Sequence, residues 1–190
     1  MGQTIALPYE PEEIEAMTAA SGFSERQLRR LYERFVELDR AERNFLTKND
    51  FLRIAELRNN PLKQRIVDAF FLLEKESHHL NFQQFVHVLA RFRPTSKSKE
   101  NPLNRKEDKL LFVFSMYDIN GNGFISCSEF VNVLELMVGP SVTREQLLAI
   151  AQKTIEEVDT DKDGALSFPE FCKALEKAEV ERKLSIRFFN

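Results

Sequence analysis

Apolar side chains recur every three or four residues through most of this chain, which is the spacing that one face of an amphipathic α-helix requires. A pair of capping residues, Ser24 and Gln27, predicts the start of one helix, and Thr143 with Gln146 predicts the start of another. The first apolar stripe consists of Leu28, Leu31, Phe35 and Leu38. The pattern therefore predicts a mainly helical protein whose stripes form the core.

The helical stripes repeat with a period of about 40 residues. An aromatic residue follows each of four twelve-residue segments, which we number loops 1 to 4 and which begin at residues 39, 73, 118 and 159. The aromatic residues are Phe51, Phe85, Phe130 and Phe171. Such a repeat predicts four helix–loop–helix units in an all-α fold. We expect an N-terminal segment at residues 1–23, an N-terminal lobe at 24–90, a basic linker at 91–106, a C-terminal lobe at 107–178 and a tail at 179–190.

Loops 3 and 4 carry the spacing of a calcium-binding loop. Residues 118–129 and 159–170 both match D-x-[DN]-x-[DN]-G-x5-E without a mismatch. Ca²⁺ takes about six to eight oxygen ligands, and this spacing supplies side-chain oxygens from positions 1, 3, 5 and 12 and a backbone carbonyl from position 7. The predicted ligands are Asp118, Asn120, Asn122, Phe124 and Glu129 in loop 3, and Asp159, Asp161, Asp163, Ala165 and Glu170 in loop 4. The sequence therefore predicts two calcium ions in the C-terminal lobe.

Other positions in loops 3 and 4 agree with this interpretation. Gly123 and Gly164 stand at position 6, where the chain must turn sharply around the ion. Ile125 and Leu166 stand at position 8, and we expect them to pair across a short antiparallel bridge. Loop 4 has four ionisable side-chain ligands and loop 3 has two, so we expect loop 4 to bind calcium more tightly.

Loops 1 and 2 have the same length but lack the ligand set. Loop 1 has Arg43 at position 5, and a cation there opposes a metal ion. Loop 2 has Leu73 at position 1 and Gln84 at position 12, so it supplies too little negative charge. We predict that both loops are free of metal, and that Leu46 and Leu80 still form a bridge between them.

Composition and charge argue against several other classes. A net charge of −3 and a pI near 5.8 argue against nucleic-acid binding. The chain has no apolar run of about 18 residues that would span a membrane and no signal-peptide pattern. Cys127 and Cys172 fit no disulfide framework, so we expect reduced thiols in a cytosolic protein. His78, His79 and His87 form no arrangement with a nucleophile, so we expect neither enzymatic activity nor a small-molecule substrate.

Several segments outside the calcium loops are similar to those of a known family. They are Gly22–Ser24, Asn60–Leu62, Ala69–Phe71, Leu89–Pro94, Pro102–Asn104 and Lys183–Phe188. With the four loops, they make the chain resemble the calcineurin B-like EF-hand proteins, and within these the calcineurin B homologous proteins, which are partners of plasma-membrane sodium/proton exchangers. The resemblance covers nearly the whole chain. Its Phe-Arg-Pro segment, basic linker and tail are the parts that favour the exchanger-binding branch.

This resemblance implies a regulatory subunit that binds an amphipathic helix just beyond the last membrane span of an exchanger and supports its activity and stability. Such a helix is recognised in an apolar groove through its side chains at positions i, i+3, i+4 and i+7. The candidate groove residues are Leu31, Phe35, Phe70, Phe85, Leu89, Phe114, Leu134 and Met137. The tail is expected to cover part of this groove.

The resemblance also bears on location. Met1 and Gly2 permit N-myristoylation of Gly2, although Ala6 stands where the usual pattern has Ser or Thr. One acyl chain gives only marginal membrane binding, so we expect a cytoplasmic protein that is partly associated with the plasma membrane through its partner. Residues 133–138 are similar to a leucine-rich export segment, which implies shuttling through the nucleus.

Two further functions remain open from the sequence. The first is the regulatory subunit of a calcium-dependent protein phosphatase, because calcineurin B shares the overall plan. The second is a calcium buffer without a partner, which would barely open when it binds the ion.

Overall fold

The computed structural model describes residues 6–74, 78–93 and 103–175, which are mostly helical. The α-helices are α1 (Pro11–Ser21), α2 (Glu25–Leu38), α3 (Lys48–Leu52), α4 (Ala55–Arg58), α5 (Lys63–Leu72), α6 (Phe82–Ala90), α7 (Lys106–Tyr117), α8 (Cys127–Val138), α9 (Arg144–Val158) and α10 (Phe168–Ala174). The strands are β1 (Leu46–Thr47), β2 (His79–Leu80), β3 (Phe124–Ser126) and β4 (Ala165–Ser167), and a 3₁₀ turn spans Gly139–Ser141. The all-α prediction is confirmed. Gly2, the centre of the linker at 94–102 and the tail at 179–190 lie outside the described residues.

The predicted helix starts are present with their capping bonds. The hydroxyl of Ser24 accepts a hydrogen bond from the Gln27 amide at 3.4 Å, and the hydroxyl of Thr143 accepts one from the Gln146 amide at 3.3 Å. The Oε1 atom of each glutamine in turn accepts a hydrogen bond from the amide of its capping residue, at 2.9 and 3.0 Å. These bonds satisfy donors that the first helical turn leaves unpaired, so α2 and α9 begin where the sequence places them.

The first helix, α1, lies within residues 1–23, for which the sequence indicated no helix. Its apolar stripe is weak, because the buried residues of α1 are Met17 and Ser21, and of these Met17 alone is apolar. α1 ends at Gly22, whose φ of +70° is a left-handed conformation that favours glycine. The helix packs against α2 and α6. Tertiary packing therefore stabilises a helix that its own pattern predicts poorly.

Two short antiparallel bridges join the loops in pairs. Leu46 pairs with Leu80 between loops 1 and 2, and Ile125 pairs with Leu166 between loops 3 and 4. Both pairs are the ones predicted from position 8, and all four side chains are buried. Each bridge holds two loops side by side, so the two calcium-type loops form one unit.

Helix α7 belongs to the cores of both halves of the molecule, which are α1–α6 and α7–α10. Phe112 and Met116 lie in the apolar cluster of the N-terminal half, whereas Leu110 and Phe114 lie in a cluster of the C-terminal half. The Phe112 ring centroid is 4.7 Å from that of Phe92. The two halves are therefore packed together through opposite faces of one helix. Within the described residues, none of the helices has the length and apolar character that crossing a bilayer requires.

Candidate metal centre

The predicted side chains of loop 3 point into the loop. Asp118, the C-cap residue that follows α7, accepts hydrogen bonds from the amides of Asn122 at 3.1 Å and Gly123 at 2.9 Å. Asn122 Oδ1 accepts one from the amide of Phe124 at 2.9 Å. From the opposite side, Glu129 Oε1 accepts bonds from the amides of Ile119 and Asn120 at 3.0 and 3.1 Å. The carboxylates at positions 1 and 12 thus face the same ring of backbone amides.

Loop 4 repeats this arrangement with more carboxylates. Asp159 accepts bonds from the amides of Lys162 at 2.6 Å and Gly164 at 2.8 Å. Glu170 Oε1 accepts one from the amide of Thr160 at 2.6 Å. Asp159, Asp161 and Glu170 bring one oxygen each to within 4.8 Å of one another. Among the described residues this is the one such group of three His, Cys, Asp or Glu side chains.

Glycine allows both loops to close. Gly123 has φ +87° and Gly164 has φ +85°, conformations that strain any residue with a Cβ atom. Each glycine lies directly before the residue whose carbonyl is the predicted ligand at position 7. The sharp turn therefore has the backbone geometry that the motif predicts.

Hydrogen bonds hold the position-12 glutamates in the charged form. Bonds from the Ser167 hydroxyl, the Thr160 amide and the Ser167 amide lower the pKa of Glu170 to about 2. Burial on its own would raise the pKa of Glu129, but bonds from the hydroxyl and amide of Ser126 and from loop amides lower it overall. Both groups are therefore anions at neutral pH.

The Asp161 carboxylate has the opposite shift. Partial desolvation is the main cause that raises its pKa, and the charges of Asp163 and Glu170 raise it further. Carboxylates that repel one another around one point are stabilised when a cation lies between them. Because all the converging donors are hard oxygens, the chemistry of loops 3 and 4 fits Ca²⁺.

In loop 1, a positively charged side chain occupies the region between the carboxylates. The Arg43 guanidinium forms an ion pair with Asp50 at position 12, and its Nε lies 3.5 Å from Asp39 Oδ1 at position 1. Asp39 and Asp50 are both buried, and Asp39 Oδ1 accepts no hydrogen bond within the described residues. The arginine thus lies between the carboxylates at positions 1 and 12 of loop 1. In loops 3 and 4 the carboxylates at the same two positions are predicted metal ligands. This geometry agrees with the prediction that loop 1 is free of metal.

The charged state of Asp50 stabilises this loop at neutral pH. Burial is the largest influence on its pKa and raises it, but bonds from the Thr47 hydroxyl and amide, together with Arg43, lower the pKa overall. A group whose pKa is lowered on folding contributes stability above its unfolded pKa and loses that contribution as the pH falls through the acidic range.

Replacing Arg43 with Ala is expected to lower the free energy of unfolding by about 2 kcal/mol, because buried Asp39 would lose its counterion and buried Asp50 would keep the longer contact with exposed Arg53 at 3.7 Å. The value is below that for a fully buried pair, since the Arg43 side chain is 33% exposed. Urea unfolding with a calcium chelator measures the change. Arg40→Ala is the control, because Arg40 is an exposed cation at position 2 of the same loop. An equal effect of the two substitutions would contradict a counterion role for Arg43.

Loop 2 has neither a ligand set nor an internal cation between carboxylates in its described part. Glu74 contacts two residues outside the loop: its carboxylate is hydrogen-bonded to the His87 ring and forms an ion pair with Arg91 at 3.6 Å. Gln84 at position 12 is engaged in a capping box with Asn81. Lys75, at position 3, lies outside the described residues. These partners explain how the loop is held without a metal ligand at position 12.

Six of the eight candidate groove residues lie in apolar cores in this conformation. They are Leu31, Phe35, Phe70, Phe85, Leu89 and Phe114. The four phenylalanine rings among them are packed against other aromatic rings, as between Phe114 and Phe171 at 5.4 Å. Leu134 is half-buried and Met137 is 50% exposed. A groove role for the six buried residues requires the helix pairs to open, and it stays a prediction.

Other apolar residues on α8 and α9 are exposed and were not predicted as groove residues. They are Leu136, Val138, Leu148 and Ile150. They were not predicted because one apolar stripe marks one buried face of a helix, whereas α8 and α9 carry apolar residues on more than one face. The width of these stripes in the sequence is the signal that could have identified them.

The remaining candidate residues have ordinary structural roles here. Cys127 and Cys172 are free, half-buried thiols, and burial and then Glu107 raise the pKa of Cys172. The ring of His79 lies 4.8 Å from that of Phe45. The export-like segment at 133–138 is part of α8, and its Val133 is fully buried.

Comparison with known proteins agrees with this geometry. Residues 107–176 match a family described as an EF-hand domain pair. The calcineurin B chain of Naegleria gruberi is 39% identical over 177 residues, covering 93% of this chain and 94% of the relative. The type 1 calcineurin B chain of Dictyostelium discoideum is 41% identical over 178 residues, with 93% of each chain covered. The calcineurin B chain of Candida glabrata is 35% identical over 175 residues, with 92% and 94% covered.

These likenesses extend over both halves of the chain, including the two loops without a calcium ligand set. The EF-hand pair in this chain, together with such relatives, indicates calcium binding. The relatives are named as subunits of calcineurin, which agrees with a regulatory rather than a catalytic chain. With this identity over more than nine-tenths of its length, the chain belongs to the calcineurin B family of EF-hand proteins.

Proposed function

We propose that this protein is a non-catalytic regulatory subunit that binds Ca²⁺ in loops 3 and 4 and an amphipathic helix of a larger protein. The observation that carries the proposal is the convergence of Asp159, Asp161 and Glu170 on one point. Loop 3 offers the same frame with two carboxylates and two amides. The division into lobes at residues 24–90 and 107–178 is part of this proposal.

The partner that we favour is the helix of a phosphatase catalytic subunit. The support is that relatives covering more than nine-tenths of this chain are calcineurin B chains. A helix of this kind binds through an apolar stripe, and a stable complex buries roughly 800 Å² on each partner. The exposed apolar residues on α8 and α9, including Met137, provide part of such a surface. Opening of the helix pairs by calcium would add the buried aromatic residues.

The second candidate partner is the juxtamembrane helix of a sodium/proton exchanger. The observation that favours it is the likeness of the Phe-Arg-Pro segment, the basic linker and the tail to the exchanger-binding branch. Phe92 and Arg93 of this segment also have roles within the fold. Phe92 stacks on Phe70 at 5.3 Å, and Arg93 donates a hydrogen bond to the Ser21 carbonyl at 3.0 Å. Membrane association through a myristoylated Gly2 and nuclear shuttling belong to this second proposal.

Titration with two synthetic peptides separates the candidates. One peptide is the helix through which a calcineurin catalytic chain binds calcineurin B, and the other is an exchanger juxtamembrane helix. In saturating calcium we expect the phosphatase peptide to bind at least about tenfold more tightly, which corresponds to about 1.4 kcal/mol. Met137→Asp should weaken this binding, because it places a charge on the apolar surface.

Scrambled peptides of the same composition provide the control for non-specific binding. A preference for the exchanger peptide would replace the first proposal with the second. Failure of both peptides, with normal calcium binding, would favour the calcium buffer.

A further inference from the structure

The end of helix α7 is held by an arginine from the other half of the molecule. The last carbonyls of a helix have no partner within it, and they carry partial negative charge. Arg65 of α5 donates from Nε to the Met116 carbonyl at 2.8 Å and from Nη2 to the Ser115 carbonyl at 2.9 Å. The same Nη2 lies 3.2 Å from the Asp118 carbonyl. One guanidinium therefore satisfies three carbonyls about fifty positions away in the sequence.

Arg65 is itself fixed within the N-terminal half. Its side chain is 12% exposed and lies 3.8 Å from the carboxylate of Asp68, one turn further along α5. Asp68 also accepts a hydrogen bond from Lys48 Nζ of α3 at 2.6 Å and one from Gln64 at 3.3 Å. The contact with α7 therefore belongs to a polar network that also contains Lys48, the first residue of α3.

On the other side of the contact between Arg65 and α7 lies Asp118, the first residue of loop 3. The Asp118 carboxylate accepts the amides of Asn122 and Gly123, while its own carbonyl accepts from Arg65. Its amide closes the last turn of α7 on the Phe114 carbonyl at 2.9 Å. A shift of Asp118 on binding an ion would therefore change the Arg65 bond to its carbonyl directly, and the bonds to Ser115 and Met116 to the extent that the last turn of α7 moves with it.

We propose that Arg65 is a positioning residue that couples calcium occupancy of loop 3 to the stability of helix α5 in the N-terminal half. This inference rests on the proposed function, because it requires loop 3 to bind calcium. The coupling is reciprocal, so a ligand that stabilises α5 also tightens calcium binding in loop 3. Loops 1 and 2 need no metal for this effect, since the signal enters through α7.

Hydrogen exchange of the α5 amides, with and without calcium, measures the coupling directly. Calcium affinity alone is a poor readout, because loss of Arg65 removes both an anchor and a positive charge that repels the ion. In the full chain we expect calcium to slow exchange in α5 by about fivefold or more, the lower end of typical allosteric coupling. In Arg65→Gln this slowing should fall below about twofold, while calcium still slows exchange in α8 and α9.

Matched variants identify the source of the signal. Glu129→Gln should abolish the slowing in α5, and Glu170→Gln should leave it in place. Arg34→Gln is the control for charge, because Arg34 is an exposed arginine paired with Glu37 on α2. Arg65→Lys keeps the charge without the three-bond geometry, and it replaces Arg65→Gln if that variant does not fold.

The outcomes separate this inference from the proposed function. A wild-type chain that binds no calcium in loop 3 refutes the proposed site. Normal calcium binding with full slowing of α5 in Arg65→Gln or Arg65→Lys overturns the role of Arg65 alone. Equal losses in Arg34→Gln would also overturn it, because a general effect of charge would then explain the result.

Discussion

Glu170→Gln is expected to weaken calcium binding in loop 4 by about 100-fold or more, because position 12 supplies two of the oxygens around the ion. Both Glu170 oxygens accept backbone amides, from Thr160 at 2.6 Å and Ser167 at 3.0 Å. An amide NH₂ at either place would face another donor, so the substituted side chain would also lose its orientation. Isothermal titration of calcium into the chelator-treated protein measures the loss.

The same titration tests the order of the two sites. Loop 4 brings four ionisable ligands and loop 3 brings two, so the tighter of two binding steps should disappear in Glu170→Gln and the weaker one in Glu129→Gln. Glu145→Gln on α9 is the control, because Glu145 is exposed and lies outside both loops. Loss of the tighter step in Glu129→Gln would show that ligand charge does not decide the order.

Phe112→Ala is expected to lower the free energy of unfolding by about 3–5 kcal/mol, the range for deleting a buried aromatic side chain. Phe112 is 5% exposed, and its ring meets Phe92 at 4.7 Å and Phe70 at 5.6 Å. The substitution would leave a cavity between the two halves. Urea unfolding in saturating calcium, followed by circular dichroism, measures the change.

Leu111→Ala is the matched control, because Leu111 is the neighbouring residue of α7 and is 43% exposed. Its substitution should cost about 1 kcal/mol or less. We also expect the single unfolding transition to broaden or divide in Phe112→Ala, since the shared helix would no longer join the cores. Similar costs for the two variants would mean that the contact between the halves contributes little.

The parts of this molecule that the sequence predicts well are those that short-range rules decide. The calcium-type loops follow from the spacing of Asp118 to Glu129 and Asp159 to Glu170, because the ligand positions lie within twelve residues. The capping bond at Ser24 is equally local. Leu46 and Leu80 could be paired because position 8 has the same role in every loop of the repeat.

The parts that the sequence could not predict depend on contacts between distant segments. Apolar stripes mark Phe35 and Phe70 as buried or bound, but they do not say which, since a core and a groove require the same side chains. Helix α7 carries two stripes that serve different cores, which a single-face analysis cannot separate. The sequence shows that Arg43 opposes a metal ion, but its place between Asp39 and Asp50 depends on the folded loop.

The internal ion pairs of Arg43 give loop 1 a different dependence on calcium from the one that we propose for loops 3 and 4. Arg43 neutralises the carboxylates of loop 1 at every calcium concentration, so the geometry of the Leu46–Leu80 bridge does not depend on calcium. Under the proposed function, loops 3 and 4 take their neutralising charge from solution as Ca²⁺. In the proposed complex, the half around loop 1 would therefore keep one geometry at every calcium concentration, and a change in calcium would reach the target helix through the half that contains loops 3 and 4.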